Sequence, residues 1–203
     1  MTVTDEQVEL GSSGVRLRST IRSSLMGEPD HESAVLLAVG SVLHREIAID
    51  ELLGRLVDHI AGAMAADRGT IYLLDRGKGE LISKAAHLPE LEEIRLALGQ
   101  GVAGHVAAHD EILNVPTVTD EDRFYAGVDR QTGYRTESLL AAPMHDRAGE
   151  VVGVVQLLNK EGGAFTLEDA KALAKLADQA AFAVEATTLY EELDRAPESK
   201  LDS

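Results

Sequence analysis

The side chains that could do chemistry in this 203-residue chain are histidines, carboxylates and hydroxyls, because it contains no cysteine. Without thiols there is no disulfide framework, no thiolate zinc or iron–sulfur site, and no cysteine nucleophile or redox pair. His105 and His109 stand four residues apart and would share one face of a helix. With His87 they suggest a metal site, but the acid of a His-Glu-x-x-His pattern is missing, so no metal is assigned. Asp120-Glu121-Asp122 resembles part of a calcium loop, yet the required glycine and terminal glutamate do not follow. A solvated acidic turn is the simpler expectation. No Gly-x-Ser-x-Gly elbow is present, and no catalytic residue is assigned. The more informative run is Gly99-Gln100-Gly101-Val102-Ala103-Gly104, a glycine turn entering a short helix. The first amides of a helix are unsatisfied donors at its positive end, so the backbone of Val102 and Ala103 could hold an anion.

Those residues need a scaffold, and the hydrophobic periodicity supplies one. Residues 1–30 are polar, with Gly11-Ser12-Ser13-Gly14 and Arg16, Arg18 and Arg22, and read as a flexible tail. From His31 to Glu46 apolar positions recur at helical spacing. Asp50 is expected to cap a second helix bearing Leu52, Leu53, Leu56, Val57, Ile60 and Met64 on one face. Strands are predicted at 70–74, 81–86 and 93–98, then a short helix at 102–108 and a strand at 112–115 stopped by Pro116. Residues 117–136 form a polar stretch of the kind compact domains reserve for a lid or binding loop. Strands at 138–144 and 151–158 follow, joined by a turn at 146–149.

The last helix starts at Thr166, with Asp169 three residues on, which approximates a capping box. It carries two apolar stripes, one of Ala170, Ala174, Ala177, Ala181 and Val184, the other of Leu173, Leu176, Ala180 and Ala183. A helix apolar on two sides needs two partners. One is its own sheet, and the other is expected to be the same helix of a second copy, giving a homodimer. Residues 196–203 read as a polar tail. Hairpin-linked strands flanked by terminal helices make an α+β architecture with an antiparallel sheet.

The formal net charge is −16. Such a surface disfavours phosphate backbones and anionic membranes, so neither nucleic acid nor membrane is expected as a partner. No apolar run is long enough to span a bilayer and no signal peptide is visible, which leads to a cytoplasmic expectation.

Several motifs fall in order between residues 99 and 169. They are the glycine turn, Ile112-Leu113-Asn114-Val115-Pro116, the lid from Asp122 to Thr136, Ser138-Leu139-Leu140-Ala141-Ala142-Pro143, and Asn159-Lys160 followed by Phe165 and Asp169. In these, the chain resembles GAF domains, and among them those of cyclic-nucleotide phosphodiesterases and adenylyl cyclases. The resemblance covers about residues 33–193 and makes 31–195 a single domain. It implies about six antiparallel strands, terminal helices on one face, and a ligand pocket under the short helix and lid on the other. It implies a small-molecule-binding regulatory sensor, not an enzyme, with a cyclic purine nucleotide (cAMP or cGMP) as candidate ligand and no other cofactor. The phosphate would lie at Val102 and Ala103. Lid contacts would come from Tyr125, Asp129, Thr132 and Thr136, although Asp129 and Thr132 could equally cap the lid helix. Thr70, Ala86, His87 and Gln156 match positions that read the base edge. An acid often stands where His87 and Gln156 fall; Gln156 can donate and accept hydrogen bonds but supplies no carboxylate. Lys160 and Asp169 match a salt bridge locking the last strand to the last helix. GAF-fold methionine sulfoxide reductases use cysteines, which are absent here. The competing reading is a ligand-free scaffold for dimerisation or protein–protein contact, which a pocket filled by Tyr72, Tyr125 or Leu140 would favour.

Overall fold

The computed structural model describes residues 8–11, 14–18, 49–87, 93–121 and 127–195. The expected helix at 31–46 and the polar C-terminal tail lie outside the described residues. The strands are β1 (Val8–Gly11), β2 (Gly14–Arg18), β3 (Ala66–Asp75), β4 (Glu80–Ala86), β5 (Arg95–Ala97), β6 (Glu111–Val115), β7 (Leu139–His145) and β8 (Val151–Lys160). The helices are α1 (Ile49–Ala63), α2 (Gly101–His109), α3 (Gly127–Thr132) and α4 (Leu167–Arg195), with a 3₁₀ turn at Val118–Asp120.

The sheet runs β1-β2-β6-β7-β8-β3-β4-β5, and every pairing is antiparallel. Six of these strands, β3 to β8, are the antiparallel sheet the sequence leads one to expect. The other two correct the reading of residues 1–30 as a flexible tail. Residues 8–11 and 14–18 form a hairpin whose second strand pairs with β6, Val15 opposite Asn114 and Leu17 opposite Ile112. Each strand is only four or five residues long, too short for its alternation to stand out in the sequence. The hairpin covers an edge of β6 that would otherwise leave a row of unpaired backbone groups.

Strand side chains alternate between two buried faces. Ile71, Leu140, Ala142, Val155 and Leu157 pack with α1 and α4 in one cluster. Tyr72, Leu139, Ala141, Val154 and Leu158 pack with α2 in the other. On α1, Leu52, Leu53, Leu56, Val57 and Ile60 face the sheet as expected, but Asp50 lies inside the first turn rather than before it. The two stripes of α4 find much of their cover within this chain. Ala170, Leu173, Ala177, Ala180, Ala181 and Ala183 are all buried in the helix-side cluster, which α1 shares. Burial of the second stripe therefore does not require a second copy. Among the described residues no helix is long and apolar enough to cross a membrane.

One ion pair gathers three elements at the corner of this layer. Lys160 Nζ donates to Asp169 Oδ1 at 3.0 Å and to the carbonyl of Met64, just past α1, at 3.0 Å. Asp169 also completes the capping box: Thr166 N–H donates to its Oδ2 at 2.7 Å, and Asp169 N–H donates to Thr166 Oγ1 at 3.1 Å. Burial works against the charged carboxylate, but the Thr166 amide, the Lys160 ammonium and the Thr166 hydroxyl outweigh it and hold the carboxyl below its ordinary range. A depressed folded pKa stabilises above the unfolded value of about 3.9 and loses that contribution as pH falls through the folded value. Asp169→Asn keeps the cap shape and removes the charge. It should lower stability by about 1–2 kcal/mol at neutral pH. Urea denaturation across pH should show that gap constant from pH 5 to 8 and closing in stronger acid. A gap that persists in acid would assign the loss to cap geometry instead of charge.

Candidate functional site

The side of the sheet away from α1 and α4 carries the candidate pocket. A cavity of about 40 Å³ is lined by Tyr72, Leu96, Gly101, Val102, Ala103, Val128, Asp129, Thr136, Leu139, Gln156 and Leu158. Its roof is the start of α2 and its floor is β3, β7 and β8. The glycine turn sets α2 in place. Gly101 has φ 66°, in the left-handed region where glycine costs least. A Cβ on Gly104 would stand 2.5 Å from the carbonyl oxygen of Ala97, so only glycine lets α2 sit this close to β5. Gln100 precedes the helix without capping it; its Oε1 accepts from the Ala97 amide instead. Val102 and Ala103 are buried in the first turn, at the positive end of the helix.

The lid closes the remaining side through its own hydrogen bonds. Asp129 on α3 accepts from Thr136 twice, from the amide at 2.8 Å and from the hydroxyl at 2.9 Å. Thr132 Oγ1 donates to the Val128 carbonyl and accepts from the Tyr134 amide. Thr132 thus finishes its own helix and does not line the cavity, whereas Asp129 and Thr136 do. Tyr125 lies outside the described residues.

Thr70, Ala86 and Gln156 are brought side by side. Thr70 is register partner to Ala86 on β4 and to Gln156 on β8, and it is 2% exposed. Gln156 lines the cavity; Thr70 stands one strand further along, on β3, and Ala86 two, on β4. His87 does not line this cavity. Ala86 packs on the pocket-side cluster, so the next side chain turns to the opposite face. There His87 Nδ1 accepts the Gly69 amide at 3.2 Å and Nε2 meets Asp58 Oδ1 on α1 at 2.7 Å. His105 and His109 do stack, with ring centroids 4.0 Å apart, but His105 Nε2 is bonded to Glu111 and His109 Nδ1 to the His105 carbonyl. No group of three metal-ligating side chains occurs among the described residues. The acidic turn is not wholly solvated, because Glu121 is buried and Asp122 lies outside the described residues.

Two residues matter more here than their sequence positions announce. Tyr72 is packed inward, 2% exposed. Burial raises its phenol well above the ordinary range, with a Thr70 hydrogen bond opposing, so it stays neutral. It shares a strand face with Thr70, two residues away, which is the signal that could have placed it in the floor. Leu140, by contrast, belongs to the helix side, while its neighbour Leu139 lines the cavity. Asn159 is the lid's anchor. It takes φ 52°, its Oδ1 accepts from the Glu137 and Ser138 amides, and its Nδ2 donates to Tyr134 Oη and the Arg135 carbonyl. Tyr134 Oη in turn donates to Asp67 at 2.6 Å, with the Arg68 guanidinium 3.9 Å from the ring centroid.

Comparison with known proteins fits this geometry. The family model described as GAF domain matches residues 48–184. The chain is 34% identical over 134 residues to the dual 3',5'-cyclic-AMP and -GMP phosphodiesterase 11 of Drosophila melanogaster, covering 58% of this chain and 9% of that protein. It is 29% identical over 167 residues to the probable 3',5'-cyclic phosphodiesterase pde-5 of Caenorhabditis elegans, covering 76% of this chain and 23% of that protein. The chain thus spans under a quarter of either relative's length. Among solved structures, the GAF domain from Acinetobacter phosphoenolpyruvate-protein phosphotransferase superposes with a TM-score of 0.63 at 23% identity, over 81% of this chain and 99% of that one.

The Asn159 anchor yields a direct expectation. Asn159→Ala removes four hydrogen bonds and puts alanine at a left-handed position that Asn tolerates better. Stability should fall by about 2–3 kcal/mol. Amide hydrogen exchange should rise chiefly at residues 134–138, while α1 keeps its protection. Unchanged exchange at 134–138 would mean that the lid is held elsewhere.

Proposed function

The chain belongs to the GAF domain family, and from that membership and the cavity we propose a regulatory sensor domain that binds a small polar ligand between α2, the lid and the sheet. The observation that carries this reading is convergence. The first turn of α2, the Asp129–Thr136 pair and the amide of Gln156 meet in one cavity. An anionic group would take the Val102 and Ala103 amides, and a planar polar edge would take Gln156. A cyclic purine nucleotide is the first candidate, supported by the relatives, whose names are those of cyclic-nucleotide phosphodiesterases. Signalling would pass through the terminal helices, in a cytoplasmic homodimer or against a protein partner. The domain is residues 31–195 with the β1–β2 hairpin added to its sheet. The role proposed is regulatory and not catalytic.

A cavity of about 40 Å³ is far smaller than the 300–1,000 Å³ of most ligand sites. Binding therefore requires Tyr72 to swing away and the Asp129–Thr136 pair to part. Tyr72 packed inward is also the specific observation that favours a second reading, a ligand-free scaffold for dimerisation or protein contact.

A thermal-shift panel of cyclic nucleotides against the wild type and Tyr72→Ala separates the two. A ligand at 100 times its dissociation constant adds about 2.7 kcal/mol, or roughly 5–10 °C for a domain this size. Tyr72→Ala, which enlarges the floor, should respond at lower nucleotide concentration than the wild type. No shift with any nucleotide in either protein removes the cyclic-nucleotide reading. Light scattering supplies the other arm: a monomer at high concentration counts against both the dimer and signalling between paired helices.

A further inference from the structure

His145 closes β7 and stands between two helices that otherwise approach the sheet from opposite faces. Its Nε2 lies 2.6 Å from Asp110 Oδ1, at the C-terminal end of α2. Its Nδ1 lies 2.8 Å from Asp178 Oδ1, in the middle of α4. Its backbone amide also donates to Asp178 Oδ1, at 3.3 Å. Ionised carboxylates only accept, so both ring nitrogens must donate and the ring here is an imidazolium. The Asp178 hydrogen bond, then the Asp110 carboxylate, raise its pKa to about 9 against the opposing effect of burial. The ring is 17% exposed, while its two carboxylate partners are about half exposed.

Asp110 reports the position of the whole of α2. It holds the left-handed C-cap, φ 52°, with its amide donating to the Val106 carbonyl. Val102, Ala103 and Val106 are buried along the helix, and one nine-residue helix about 13 Å long is short enough to move as a rod. Whatever displaces its first turn, where the cavity lies, must displace Asp110 at its other end. Asp178 occupies a polar position of α4, whose neighbouring residues Ala177, Ala180 and Ala181 are fixed to the sheet.

We propose that the Asp110–His145–Asp178 bridge is the link through which movement of the pocket helix α2 reaches α4. The link's use in sensing rests on the ligand reading above, but its existence does not. A ligand that lifts α2 would pull Asp110 from Nε2. The imidazolium, left with Asp178 alone, would then loosen β7 and α4 together. Such an element satisfies the requirement that a coupling route be a physical contact with two arrangements that both sites can bias.

Hydrogen exchange of the ligand-free protein tests this with a mutant cycle. Asp110→Asn retains the left-handed preference and weakens only the bridge. Loss of one charge-assisted bond should speed exchange of α4 amides near residues 174–182 by roughly tenfold. In a His145→Gln background the same Asp110→Asn change should have no further effect on α4. If His145→Gln does not fold, Asp178→Asn replaces it, since it removes the other end of the bridge. The ring titration of His145, followed by NMR, should move down in each aspartate variant. The proposal is overturned if Asp110→Asn affects α2 alone, or if it affects α4 equally with and without the bridge. Because no ligand is present, a negative nucleotide panel leaves this result standing, and its failure leaves the pocket reading untouched.

Discussion

Each central strand is buried on both sides, and the two-residue repeat of a strand keeps the two sides distinct. Ile71 and Tyr72, Leu140 and Leu139, Leu157 and Gln156 are chain neighbours that face opposite layers. The floor of the cavity and the bed under α1 and α4 are therefore the two surfaces of the same three strands. No strand residue can shift without being felt on both, because interiors at this packing density do not deform smoothly. A slip of one residue in register would exchange the layers entirely. This constraint explains why Gly153 is needed: a Cβ there would stand 2.3 Å from the Tyr72 carbonyl oxygen, forcing β8 away from β3.

Hydrophobic burial fills the two layers but does not fix how they sit at their edges. That task falls to partly buried polar residues at strand ends. Lys160 and Asn159 end β8, and His145 ends β7. Each satisfies several groups at once: Lys160 joins the chain after α1 to α4, Asn159 joins the lid exit to β8, and His145 joins α2 to α4. An exposed pair of this sort would contribute little, whereas here burial and multiple hydrogen bonds make removal costly. Their bonds are directional, so they specify angles that apolar contacts leave loose.

The parts legible in the sequence were those with a repeat or a local chemical rule. The 3.6-residue period of α1, the apolar runs of β7 and β8, the glycine turn before α2 and the Thr166–Asp169 box all act over a few residues. The parts that were not legible depend on long-range choices. His87 looks like a pocket residue until β4 fixes which neighbour faces α1. The second stripe of α4 looks unpartnered until the helix-side layer is assembled around it. The 8–18 hairpin has too few residues to show a period, and its reason for existing lies about a hundred residues away at β6. The Asp110–His145–Asp178 bridge spans 35 residues one way and 33 the other, with no motif to announce it.

The size of the cavity also depends on such choices, and it bears on what affinity this pocket can show. Asp129 is held in place by the Thr136 amide and hydroxyl. On the proposed reading, those bonds and the packed Tyr72 would have to yield before anything of nucleotide size could enter. If opening costs about 3 kcal/mol, the competent state is populated at roughly one part in a hundred and apparent affinity falls by the same factor. A ligand that makes good contacts with α2 and Gln156 would still bind, but only after opening. On the proposed reading the small cavity would set a threshold: weak ligands would stay excluded, and a strong one would have to move the lid in order to bind. On the proposed reading, that coupling of entry to movement is what would distinguish a sensor from a passive binding site.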